Sequence, residues 1–174
     1  MSEFFGSGRD PAKLGSAHPR NAPYQAFRCG DGHFVMAAGT DELYRKACAC
    51  LGLTDLLDDP RFASTSDRAR NQDALRQVIE TATERLSAEH CLALLRGAGV
   101  PCAPINTYSQ ALADAQVEHY GWVQPLQLPN GAVTRTFMHP LGHSVPPRRP
   151  PPALGEHTEE IKAEIRDAKL ASLP

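Results

Sequence analysis

The sequence holds no apolar run near the roughly 20 residues that a membrane-spanning helix requires, so no membrane association is expected. Charge of one sign is missing too. Eighteen Lys and Arg stand against twenty Asp and Glu, for a formal net charge of -2. Without a basic footprint, no nucleic acid is expected as a partner. The opening MSEFFGSGRDPAKLG lacks the basic stretch followed by an apolar one that marks a secretory signal. The chain therefore reads as cytoplasmic. Aromatic residues are scarce at 6%, which limits the large side chains available for packing.

Paired cysteines at ligand or redox spacing are also absent. The five cysteines stand at 29, 48, 50, 91 and 102, and the nearest pair is Cys48-Ala49-Cys50 rather than C-x-x-C. On a helix, positions 48 and 50 point about 200° apart and share neither a ligand nor a bridge. They read as small reduced hydrophobes. The seven histidines show no H-E-x-x-H spacing, and no metal is expected.

What is present suffices for a core. A chain of 174 residues with 41% hydrophobic content can bury one without disulfides or metal. Fifteen prolines and thirteen glycines make it rich in turns. Residues 1–20 read as an extended or mobile lead-in. Tyr24–Cys29, the turn Gly30-Asp31-Gly32 and His33–Ala38 read as a β-hairpin, its two glycines supplying positive φ angles. The second strand is almost continuously apolar and is expected inside its sheet.

Thr40 is placed to cap a helix beginning at Asp41, with Leu43, Tyr44, Ala47, Cys48 and Leu51 on one face and Gly52 as its stop. The clearest helical period runs from about Asp67 to Arg85 through Leu75, Val78, Ile79, Ala82 and Leu86. Ser87 caps the next helix, which Gly97 and Gly99 end. Val100–Ile105 is too rich in proline for a central strand and reads as an edge or connecting segment. Thr107 caps a short helix to Leu112, and residues 114–122 favour no one class. Val123–Leu128, Asn130-Gly131 and Ala132–Met138 spell a second hairpin. Prolines 140, 146, 147, 150, 151 and 152 predict an extended polyproline-like arm. Glu156–Leu170 predicts a charged helix with a narrow stripe of Ile161, Ile165 and Ala168.

The expected fold class is α+β: a small domain with two β-hairpins and several helices over 21–138. A proline-rich arm and C-terminal helix follow over 139–174.

Local motifs offer little chemistry. There is no G-x-S-x-G elbow, Walker loop or G-x-G-x-x-G. Gly6-Ser7-Gly8 lies in the lead-in. Adjacent Asp58 and Asp59 diverge, and the Asp-Pro step after them favours a turn. Arg68 and Arg70 read as part of a solvated helix surface, and His157 as a capping or surface residue.

A set of spaced segments carries more. They are Gly15-Ser16-Ala17-His18-Pro19 with Ala22-Pro23-Tyr24, then Gly30-Asp31-Gly32-His33-Phe34. Leu57-Asp58-Asp59-Pro60-Arg61-Phe62 follows, with Arg68 and Asn71 beyond it. Gly99–Ile105 and Pro151-Pro152-Ala153-Leu154-Gly155-Glu156-His157-Thr158 complete the series. In order and spacing over residues 15–160, they resemble the C-terminal half of the class III CoA-transferase family. That family includes formyl-CoA and carnitine CoA-transferases and the alpha-methylacyl-CoA racemases.

The resemblance implies a reaction that moves CoA from an acyl-CoA to a carboxylate through covalent aspartyl intermediates. In the family, the nucleophilic aspartate, most coenzyme A contacts and the racemases' acid–base pair lie in the N-terminal half, in a Rossmann-like domain. No aspartate here lies in a matching motif, so no catalytic residue is carried over. No cofactor is expected to bind this chain alone, the family substrate being a coenzyme A thioester.

By order along the chain, the glycine-rich loop that covers the acyl group in family transferases corresponds to Ala38, Gly39, Thr40 and Asp41. The resemblance leaves three readings open. The chain is the small-domain and C-terminal portion of a transferase-like protein (a natural short product, one subunit of a split enzyme, or an expressed piece). Alternatively, it is a portion of an alpha-methylacyl-CoA racemase-like enzyme, or a stand-alone non-catalytic binding or assembly module. The expected partners are a second copy in a homodimer and a separate Rossmann-like CoA-transferase half.

Overall fold

A computed structural model describes residues 2–10, 12–138 and 150–171. The chain divides into two units, residues 1–105 and residues 106–174. Both mix helices with small antiparallel sheets, the α+β class expected. Most of the expected proline arm, 139–149, lies outside the described residues. Among the described residues, no helix is long and apolar enough to cross a membrane.

The first unit opens with a short helix, α1 (Ser2–Ser7), within the stretch read as a lead-in. Gly8 ends it with a φ of +66°, its N–H bonding the Phe4 carbonyl at 2.7 Å. The first hairpin follows as β1 (Tyr24–Cys29) and β2 (Gly32–Ala37), in the register Phe27 opposite Phe34 and Cys29 opposite Gly32. That register leaves Gly30 and Asp31 as the two turn residues. Gly30 is not in the left-handed region, contrary to the sequence reading. It is needed for close approach, because a Cβ there would stand 2.9 Å from the Glu84 carbonyl and 3.0 Å from that of Leu86.

Thr40 caps α2 (Asp41–Cys50) as expected, its side chain accepting from the Leu43 N–H. Two 3-10 turns, Thr54–Leu57 and Pro60–Phe62, lead onward. The long helix read from Asp67 to Arg85 is instead two, α3 (Thr65–Arg70) and α4 (Gln72–Thr83). Asn71 breaks it, with φ -106° and ψ 28°. Its side-chain amide, given to the carbonyls of Arg61 and Asp67, holds the break in place. Apolar periodicity alone carries no trace of such a tether.

Ser87 caps α5 (Ala88–Gly97), and β3 (Cys102–Pro104) returns to pair with β2. The sheet order β1-β2-β3 puts the apolar strand in the centre and the proline-bearing one at the edge, as suits the missing N–H of Pro104. On one face, Phe27, Phe34 and Met36 are buried. Helices α4 and α5 pack there, adding Leu75, Ile79, Cys91, Leu92 and Leu95. Each large side chain so buried contributes about 1.5–3 kcal/mol. Thr83, fully buried, ties α4 to β1 by donating to the Arg28 carbonyl at 2.6 Å.

In the second unit, α6 (Tyr108–Leu112) starts from a complete capping box of Thr107 and Gln110. Asp114 caps α7 (Ala115–His119), in the stretch that sequence left open. The second hairpin forms as β4 (Val123–Gln127) and β5 (Val133–Phe137), with Gly131 at φ +83° in its turn. The unit closes with α8 (Thr158–Ala171), whose Ile161 and Ile165 are about half exposed.

Candidate functional site

The junction between β2 and α2 carries the four residues singled out from sequence. Ala38 is fully buried, its N–H held by the Pro23 carbonyl at 2.8 Å. Gly39 lies so close to the preceding loop that a Cβ would stand 2.7 Å from the Asn21 Cβ. Thr40 is extended and spends its side-chain oxygen on the Leu43 N–H. Asp41 opens the helix with its side chain 54% exposed.

These residues are clasped from below by Arg68 of α3. Its side chain is only 1% exposed, so the expected solvated surface position is wrong for it. Nε donates to the Ala22 carbonyl at 2.9 Å, and Nη1 to that of Phe62 at 3.2 Å. Nη2 donates to the Gly39 carbonyl at 3.3 Å, the Thr65 hydroxyl at 3.1 Å and Asp41 Oδ1 at 2.7 Å. The guanidinium also lies 4.4 Å from the centre of the Tyr44 ring. A buried cation needs such saturation, because an unpaired one costs several kcal/mol. Arg70 did follow the surface reading, being 69% exposed and paired with Asp67.

The electrostatics follow from this clasp. The Arg68 hydrogen bond and charge hold the Asp41 carboxyl below its ordinary value. The Tyr44 hydroxyl is pushed up, mainly by burial, and donates to the Leu56 carbonyl. Arg68 is therefore a structural charge, enclosed away from any ligand.

Above the clasp lies an open cleft of about 510 Å³, lined among others by Asn21, Tyr24, Gly39, Thr40, Asp41 and Thr65. Its volume is within the range of small-molecule sites. His18 shapes the near wall. Its Nδ1 accepts from the N–H groups of Arg20 (3.2 Å) and Asn21 (3.0 Å), and its ring stacks on Tyr24 at 5.3 Å. The cleft thus presents a tyrosine ring, an asparagine and the first turn of a ten-residue helix. That turn carries its own carboxylates, Asp41 and Glu42, which already occupy the favourable end of the helix dipole.

The other sequence features stand elsewhere. Asp59 caps the Pro60–Phe62 turn and pairs with Arg61 at 2.6 Å, which accounts for its carboxylate. His157 lies 3.2 Å from Glu160. Burial pushes the Cys48 and Cys91 thiols up to about 11, which makes them poor nucleophiles. Arg68 is the residue whose role sequence reasoning missed. Three of its partners, Ala22, Gly39 and Asp41, lie 27 or more residues away, and no local signal announces them.

Comparison with known proteins adds a family. A model described as CoA-transferase family III matches residues 1–158. The chain is 33% identical over 171 residues to a succinate–glutarate CoA-transferase of Agrobacterium fabrum, covering 97% of this chain and 43% of that protein. It is 30% identical over 164 residues to the human succinyl-CoA:glutarate CoA-transferase, covering 90% and 36%. Among solved structures, a CAIB/BAIF family protein from Brucella suis superposes with a TM-score of 0.67. It is 33% identical, with 94% of this chain and 43% of that one covered. The chain therefore spans less than half the length of these relatives.

Proposed function

Because the chain belongs to CoA-transferase family III, we propose that it serves as the small-domain and C-terminal portion of an enzyme moving CoA between an acyl-CoA and a carboxylate. The observation that carries this reading is the continuous match of 97% of the chain to 43% of a succinate–glutarate CoA-transferase. The names of the relatives favour transfer over racemisation. In the resembling family, an aspartate of the N-terminal half takes the acyl group as a mixed anhydride, splitting transfer into two easier steps. This chain contributes the β2–α2 junction. Ala38, Gly39, Thr40 and Asp41 cover the acyl group. Arg68 holds that junction in one shape.

The working assembly is a homodimer in the cytoplasm, completed by a Rossmann-like CoA-transferase half. The exposed Leu154, Ile161 and Ile165 favour association, since covering Leu154 is worth about 1.5–3 kcal/mol and each half-exposed isoleucine about half of that.

A panel of acyl-CoA donors and carboxylate acceptors, followed by chromatography, tests the reading. The chain alone should show no turnover. Adding the aspartate-bearing portion of the Agrobacterium relative should produce turnover, starting with succinyl-CoA and glutarate. Turnover by the chain alone that survives repurification would overturn the reading. So would a mixture that forms a complex and stays inert.

A further inference from the structure

Of the chain's four asparagines, at 21, 71, 106 and 130, Asn130 alone is followed by glycine. It sits in the loop Pro129-Asn130-Gly131 that joins β4 to β5, where both Asn130 and Gly131 are exposed. The Gly131 N–H closes the turn on the Leu128 carbonyl at 2.9 Å, and the Leu128 N–H donates to the Ala132 carbonyl at 2.8 Å. Asn130 Oδ1 accepts from the Ala132 N–H at 3.0 Å. Among the described residues, nothing holds its Nδ2.

An asparagine carboxamide is open to attack at Cγ by the backbone nitrogen of the following residue. That nitrogen loses its proton to solvent base, a new N–Cγ bond closes a succinimide ring, and Nδ2 leaves as ammonia. Water then opens the ring at either carbonyl, giving aspartate or isoaspartate. Residue 130 meets each requirement. Gly131 places no Cβ beside the attacking nitrogen. Charge developing on Oδ1 finds the Ala132 N–H already in place. One exposed hydrogen bond restrains the Gly131 N–H, in a unit with no buried side chain among the described residues, and such bonds open readily.

The other three asparagines are restrained. Asn21 precedes the fully buried Ala22, whose nitrogen is kept from solvent base. Asn71 spends Nδ2 on the carbonyls of Arg61 and Asp67. After Asn106, the Thr107 N–H is given to Gln110 Oε1 at 2.8 Å.

We propose that Asn130 is a site of spontaneous deamidation, which ages the β4–β5 hairpin by turning its loop into aspartate and isoaspartate. Isoaspartate carries the main chain through Cβ and lengthens a loop whose ends the Leu128–Ala132 bond pins together. That bond is lost in the isoaspartyl form, and either product adds a negative charge to the turn. The proposal stands on the second unit alone and does not depend on CoA transfer.

The full chain, aged at neutral and at mildly alkaline pH and sampled by peptide mapping with mass spectrometry, tests it. Conversion at residue 130 should run roughly tenfold or more ahead of residues 21, 71 and 106. It should quicken with pH, because the attacking nitrogen must lose its proton. An isoaspartate-specific methyltransferase should label the aged chain, and exchange of the Leu128 amide should speed up with labelling. Asn130→Gln, whose longer side chain closes a ring far more slowly, should keep the fold by circular dichroism and stay unlabelled. Conversion at 130 no faster than at the other three asparagines would overturn the proposal. So would a rate indifferent to pH, labelling that persists in Asn130→Gln, or a Leu128 amide unchanged by ageing.

Discussion

The two units are written in the same local code and end in different physical states. Both start helices from capping side chains, and the capping box at Thr107 and Gln110 in the second unit is as complete as any in the first. Both contain an antiparallel hairpin. Yet every buried side chain among the described residues falls between Ala22 and Val100, and none falls in the second unit. Caps and turns are enough to shape elements. Burial depends on what those elements meet.

Removing the first unit's internal charge is the largest test of this contrast. Arg68→Met keeps the bulk but leaves the carbonyls of Ala22, Phe62 and Gly39 without their donor. It should cost roughly 2–4 kcal/mol in urea unfolding followed by circular dichroism. Half-exposed Asp41 adds little to that figure. A cost below about 1 kcal/mol would break the contrast, because the most connected buried group would then be dispensable.

A smaller effect separates the charge from the scaffold. Arg68 lowers the Asp41 carboxyl below its ordinary value of 3.8, so ionised Asp41 stabilises the fold above that pH. The stabilisation is lost as pH falls through the lowered folded value. Asp41→Asn should therefore be less stable than the parent at neutral pH and lose less stability on acidification below about pH 4. Unfolding curves collected across that window decide it, and parallel acid limbs would count against the clasp.

The smallest effect is expected in the second unit. Tyr108 is 92% exposed, and Tyr108→Ala should change stability by less than about 0.5 kcal/mol. The chain's single tryptophan, Trp122, lies in that unit, so its fluorescence follows the outcome locally. A larger loss would sharpen the comparison by revealing that Tyr108 is covered in solution.

Sequence made the local features legible and the convergent ones invisible. Thr40, Ser87 and Thr107 announce their helices because a cap acts within three residues. The apolar run of β2 pointed to the centre of the sheet, and the proline-rich Val100–Ile105 stretch to an edge or a connection, of which the structure makes an edge strand. Gly30 was read for the wrong property, since its neighbours are carbonyls more than fifty residues away. The apolar period begins only at Leu75, so it carried no information about the break at Asn71. The candidate junction at 38–41 was located by family resemblance, whereas the arginine beneath it required the folded arrangement.

The pairing of β3 with β2 sets an order of events during folding. Phe34 and Pro104 become neighbours across about seventy residues of chain, while β1 and β2 meet across a two-residue turn. Loop closure grows costlier with length, and distant pairings are earned late. By loop-closure cost alone, the β1–β2 pairing is the cheaper to make and the β2–β3 pairing the dearer. Until it arrives, one side of the apolar β2 strand is unpaired, a hydrophobic edge open to another chain. A second chain pairing with that edge in place of β3 would join two copies, and three residues of β3 are what cover it.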